Sequence, residues 1–133
     1  MRLQTVLLCV YLSAGAGLAA DYELLKHCTT EESIPFPLFD TYTQFVAAMA
    51  VGDQARIAAF CVTGTVHFTT EPRAAEKTTT GDSINLQFAR QGFRKYITSV
   101  VKESEETYCI RTTSTMMWFT LVSPDKWKLS RYM

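Results

Sequence analysis

Residues 94–133 read as β-structure almost without interruption. RKYITSVVK alternates into the polar turn ESEE, TYCIRTTSTMMWFTLV follows, and KWKLSRYM returns after the tight turn Ser123-Pro124-Asp125. Threonine, aromatic and β-branched residues dominate, and Pro at the second turn position presets the backbone for reversal. The expectation is a three-stranded antiparallel meander in which Trp127 and Leu129 share one face, opposite Lys126, Lys128 and Ser130. Its middle strand, residues 107–122, would extend roughly 50 Å at about 3.4 Å per residue, against a radius of gyration of about 13 Å for a domain of this size. A straight strand of that length does not fit. A bulge or strong coil is therefore expected near Thr112 to Thr115, where the segment is least apolar.

Upstream, YTQFVAAMAVGDQARIAAFC changes the period to about 3.6, with Leu38, Tyr42, Phe45, Val46 and Met49 at three- and four-residue steps. Gly52 suits the left-handed C-cap of that helix. Asp53 suits the N-cap of a second, shorter one burying Ile57, Phe60 and Cys61. Alanines keep both helices thin, so they can lie close to a sheet. A strand is expected from near Thr65, with Val66 and Phe68 on one face and His67 on the other. EPRAAEKTTTGD, residues 71–82, reads as a mobile loop. Residues 83–93, SINLQFARQGF, carry both strand and helix spacings; Asp82 or Ser83 as a cap favours a short third helix.

At the other end, MRLQTVLLCVYLSAGAGLAA has one positive charge, an apolar run and small residues after it, the layout of a secretory signal peptide and too short for a membrane span. The expected organisation is a signal peptide over 1–20, an N-terminal arm over 21–37 and a single domain over 38–133. Removing 20 of the 133 residues leaves about 113, enough for one core. Arg2 leaves with the leader, so 12 of the 13 basic side chains face 13 acidic ones, and no basic field is left to attract nucleic acid.

Cys28, Cys61 and Cys109 remain after processing, in a disulfide-permissive compartment, either extracellular or periplasmic. One bridge plus a thiol, or a bridge between chains, satisfies the odd count; within the chain the expected pairing is Cys28 with Cys61. Their spacing matches no zinc or redox pattern, so neither a metal nor a cofactor is expected.

The order of elements, with FVAAMAVGDQARIAAFC as helix, Gly-Asp and helix, GDSINLQFARQGF as a third helix, and a long-stranded meander, resembles the nuclear transport factor 2-like superfamily, which includes the SnoaL-like polyketide cyclases and ketosteroid isomerase. The resemblance implies an α+β fold of the cone-shaped, cystatin-like kind: a helical hairpin and a short third helix on a strongly curved antiparallel sheet. It also implies a pocket between the concave sheet and the helices, lined by Tyr42, Phe45, Met49, Phe60, His67, Phe88, Tyr96, Cys109, Arg111, Met117 and Phe119. A homodimer packed sheet to sheet, through Trp118 or Trp127, follows in the same way.

Family enzymes that move protons use an Asp, Glu or His in that pocket. The strand from Thr107 to Val122 offers no carboxylate, and those at 103, 105 and 106 fall in a turn. The functional expectation is therefore a secreted, non-catalytic module that binds a small apolar or anionic ligand or a protein partner. The alternative is an isomerase, dehydratase or cyclase using His67 or Tyr96 as acid and base. Arg111 would meet a ligand carboxylate if an unbroken strand puts it beside Cys109, Met117 and Phe119; the more ordinary expectation is that the bend near Thr112 switches faces and leaves it in solvent.

Overall fold

The computed structural model describes residue 28 and residues 34–69, 73–84 and 96–133. It is an α+β arrangement of two helices packed on a six-stranded mixed sheet that does not close. The leader expected over 1–20, Phe88 and nearly all of the expected third helix lie outside the described residues; at its start, Gly81–Ser83 forms one 3-10 turn.

Helix α1 spans Phe36–Val51 and ends as its sequence requires, with Gly52 left-handed at φ 69° and its N–H returned to Ala48 and Met49 carbonyls. Asp53 then caps α2, Gln54–Ala59, by accepting the Arg56 N–H at 3.2 Å. The α1 stripe of Leu38, Phe39, Tyr42 and Phe45 is wholly buried.

The strands are β1 (Val66–Phe68), β2 (Lys77–Thr79), β3 (Ser99–Ser104), β4 (Thr107–Arg111), β5 (Met116–Ser123) and β6 (Lys126–Tyr132), in the spatial order β2-β1-β6-β5-β4-β3. Every pairing is antiparallel except β1 with β6, so the expected all-antiparallel sheet is mixed. The segment read as a mobile loop contributes β2, whose backbone pairs with β1 from Val66↔Thr79 to Phe68↔Lys77. Threonine-rich KTT is a good edge strand once a partner lies beside it, and local sequence does not reveal that partner.

A larger correction concerns residues 107–122. The chain does not bend at Thr112 to Thr115; it reverses. Thr112 N–H donates to the Thr115 carbonyl at 2.8 Å, and Thr112 Oγ1 accepts from the N–H of Thr115 at 3.1 Å. This side-chain turn resolves the length problem by making two strands, so the C-terminal meander has four strands. It also reverses the parity. Arg111 pairs with Met116, which puts Tyr108, Ile110, Met117 and Phe119 on the helix-covered face and Cys109 and Trp118 on the open one.

The covered face holds the core. Phe119 meets Tyr42 and Phe45 edge-on with ring centroids 6.3 and 6.1 Å apart, Tyr108 meets Trp127 at 5.4 Å, and Phe68 stacks on Tyr132 at 5.3 Å. A register shift between Trp118 and Phe119 lets β6 keep Trp127, Leu129 and Tyr132 all buried while Arg131 emerges opposite Trp118.

Candidate functional site on the open sheet face

The residues expected to line one pocket separate onto two faces. Tyr42, Phe45, Met117 and Phe119 are fully buried between sheet and helix, with Met49 and Phe60 packed partly exposed against them. His67, Cys109 and Arg111 belong to the other face, and Tyr96 is half-buried ahead of β3. Arg111 is exposed and has lost Met117 and Phe119 as face neighbours through the Thr112 reversal. His67 and Arg111 stand on strands separated by β6 and β5, roughly 14 Å apart at about 4.8 Å per strand spacing, beyond any shared hydrogen bond.

His67 instead meets groups that its own strand does not suggest. Its Nδ1 lies 2.9 Å from Glu76 Oε1, and the other oxygen of that carboxylate lies 3.3 Å from Arg131 Nε. Parallel pairing of β1 with β6 sets His67 beside Arg131, and the β1–β2 hairpin delivers Glu76 just before Lys77. Arg131 in turn sits over the Trp118 ring, 5.8 Å from its centroid, and Trp118 Nε1 donates to Glu103 Oε2 at 2.8 Å. Four strands and the hairpin edge thus supply a continuous row: His67, Glu76, Arg131, Trp118, Glu103.

These groups are 40 to 50% exposed at the His67–Glu76–Arg131 end, so their ion pairs add little to stability, on the order of 0–1 kcal/mol each. Their effect is orientation. The indole is held between a guanidinium and a carboxylate, each fixed by a second contact or by its strand. His67, Glu103, Thr107, Trp118, Ser130 and Arg131 line a shallow depression of about 240 Å³, and the Ser130 hydroxyl lies 2.9 Å from that of Thr120.

Glu76, Glu103, Trp118 and Arg131 were not among the expected pocket residues. Alternation alone could place His67 and Trp118 on polar faces. Finding what they meet needed the order of strands across the sheet and the shift that turns Arg131 outward.

The expected Cys28–Cys61 bridge is not formed: among the described residues no two cysteines lie at disulfide distance. Cys61 Sγ donates to the Ile57 carbonyl at 3.3 Å, one helical turn back. Burial pushes its thiol up to about 12; Lys128 opposes this and Asp82 adds to it. Burial likewise raises the Tyr42, Tyr132 and Cys109 groups. A group raised in the folded state keeps its proton while the unfolded chain loses it, so stability is lost as pH climbs from the ordinary thiol value of 9.0 towards 12. The urea midpoint should accordingly fall between about pH 8 and about pH 11, and Cys61→Ala should flatten part of that fall. An equal slope in the variant would remove Cys61 from the cause.

Among the described residues there is no group of three or more His, Cys, Asp or Glu side chains placed to hold a metal ion, and no helix long and apolar enough to cross a membrane. Comparison with known proteins leaves the arrangement to speak for itself: no protein-family model and no curated protein matches this chain.

Proposed function

We propose that this chain is a secreted, non-catalytic binding module whose recognition surface is the open face of the sheet. The observation that carries this reading is the Trp118 indole clamped between Glu103 at 2.8 Å and Arg131 at 5.8 Å beside a shallow depression. A preset, half-exposed aromatic flanked by charged groups loses little freedom on binding, which is what affinity requires. Proton-transfer catalysis draws its strength from a site that excludes water, and groups 40 to 50% exposed are poorly served for that.

The order of two helices, first strand, connector and antiparallel meander supports the resemblance to the nuclear transport factor 2-like superfamily. Within that resemblance we read the sheet as the curved, cone-forming kind. The leader layout of residues 1–20 supports secretion. A second reading, a proton-moving enzyme, is favoured by the 2.9 Å His67–Glu76 contact, because a carboxylate on Nδ1 fixes the tautomer of a general base. A homodimer stacking two open faces is the protein-partner form of the binding reading.

Amide and indole NMR spectra recorded against a library of small fragments test this. Binding fragments should move the Trp118 indole N–H and the amides of His67, Arg131 and Ser130. Responses confined to Tyr42, Phe45 and Phe119 would move the site beneath the helices and overturn the reading. Turnover lost on His67→Ala would establish the enzyme instead.

A further inference from the structure

The charged groups on the open face are already matched to one another. Glu76 gives one oxygen to His67 and the other to Arg131, while Glu103 accepts the indole N–H. With one guanidinium against two carboxylates, the row carries a formal charge of minus one when His67 is neutral and zero when it is protonated. An incoming anion would compete with Glu76 for Arg131 and face Glu103 as well. An incoming cation would compete with the guanidinium for the indole face and share carboxylates already engaged. Neither kind of charge is well received.

Hydrogen-bonding capacity of both kinds is left over. These contacts use Arg131 Nε, one Glu103 oxygen and His67 Nδ1, and the guanidinium Nη groups, the second Glu103 oxygen and His67 Nε2 are hydrogen-bonding atoms beyond them. Thr107, on the wall of the same depression, adds a hydroxyl that both donates and accepts. Between these groups lies the half-buried indole, a flat apolar surface. Mixed donors and acceptors at near-zero net charge around an aromatic plane suit a ligand with C–H groups on its face and hydroxyls around its rim.

Building on the binding-module reading, we infer that the open face takes a neutral, polyhydroxylated ligand of the carbohydrate class. One ring packs against the part of the half-buried Trp118 indole that Arg131 leaves exposed, and its hydroxyls bridge Glu103 on one side and Arg131 on the other. Hydroxyls can donate to the carboxylate and accept from the guanidinium without displacing either existing ion pair.

The test is an NMR titration of the intact protein with neutral oligosaccharides of several linkages, with uronic acids, simple carboxylates and amines as counter-ligands. Trp127 is 5% exposed on the covered face and serves as an internal control. The expected result is saturable movement of the Trp118 indole N–H with a neutral oligosaccharide while the Trp127 signal stays in place. Glu103→Gln, an exposed change that keeps the fold, should weaken that binding about tenfold, and Trp118→Ala should abolish it.

Saturation by acids or amines but by no neutral sugar would overturn the ligand class and leave the binding reading standing. Unchanged sugar affinity in Glu103→Gln would overturn the proposed bridge. Responses beneath the helices alone, with every ligand tried, would overturn both.

Discussion

Phe119→Ala is expected to lower the thermal midpoint by roughly 15 to 30 °C, the largest single effect anticipated for any side chain named here. Phe119 is fully buried at the centre of the covered face, where Tyr42 and Phe45 of α1 meet it edge-on and its strand partners are Tyr108 and Leu129. Removing the ring takes away its transfer free energy and leaves a cavity that two aromatic neighbours cannot fill by rotation. Large-to-small aromatic changes of this kind cost about 3 to 5 kcal/mol, a substantial fraction of the 5 to 15 typical of a whole domain. Phe119→Leu, which retains most of the volume, should cost well under half as much. Differential scanning calorimetry of both variants checks this; equal losses would mean that ring geometry matters more than filled space.

The second large effect is expected at Gly81, and there it comes from too little room. A Cβ at this position would lie 3.0 Å from the Ala58 Cα, 3.2 Å from the Ala58 carbonyl and 3.2 Å from the Cys61 Cβ. Two of the three obstacles are backbone and cannot rotate aside. Gly81→Ala should therefore push the 3-10 turn off α2, at a cost of about 1 to 3 kcal/mol, and should loosen the Gln54 side-chain bond to the Gly81 carbonyl, now 3.0 Å. Urea unfolding reads the first consequence and exchange of the α2 amides the second. A variant as stable as the parent would show that the turn can shift without loss. Gly64 makes a useful contrast: its Cβ would meet nothing within 4 Å, and only its φ of 89° resists substitution.

The helices were legible because their signals are local. A 3.6-residue stripe, a left-handed glycine and a capping aspartate act within a few residues, and each is found where its chemistry puts it. Alternation around His67 and Trp127 was legible for the same reason. The reversal at Thr112 was less so: Thr-Thr-Ser-Thr has the composition of a strand, and what makes it a turn is one hydroxyl accepting backbone N–H groups. That single event shifted the parity between β4 and β5, so Met117 and Phe119 face the helices as expected while Cys109 and Arg111 face the open side, the switch that leaves Arg111 in solvent. The Glu76–His67–Arg131 contact joins residues from three strand regions far apart in sequence, so no periodicity within one segment could have announced it.

The last of the six strands, β6, lies inside the sheet, hydrogen-bonded to β1 on one side and β5 on the other. While the chain emerges, the β1–β2 hairpin therefore has no sheet to join until β6 arrives. Closing that long loop is slow, because its entropy is lost before the pairing rewards it. Residues 34 to 84 should thus stay loosely collapsed until the C-terminal meander forms and β6 offers its free edge. A chain built this way commits to its fold late, and a polypeptide that must be threaded through a narrow passage before folding would benefit from that delay.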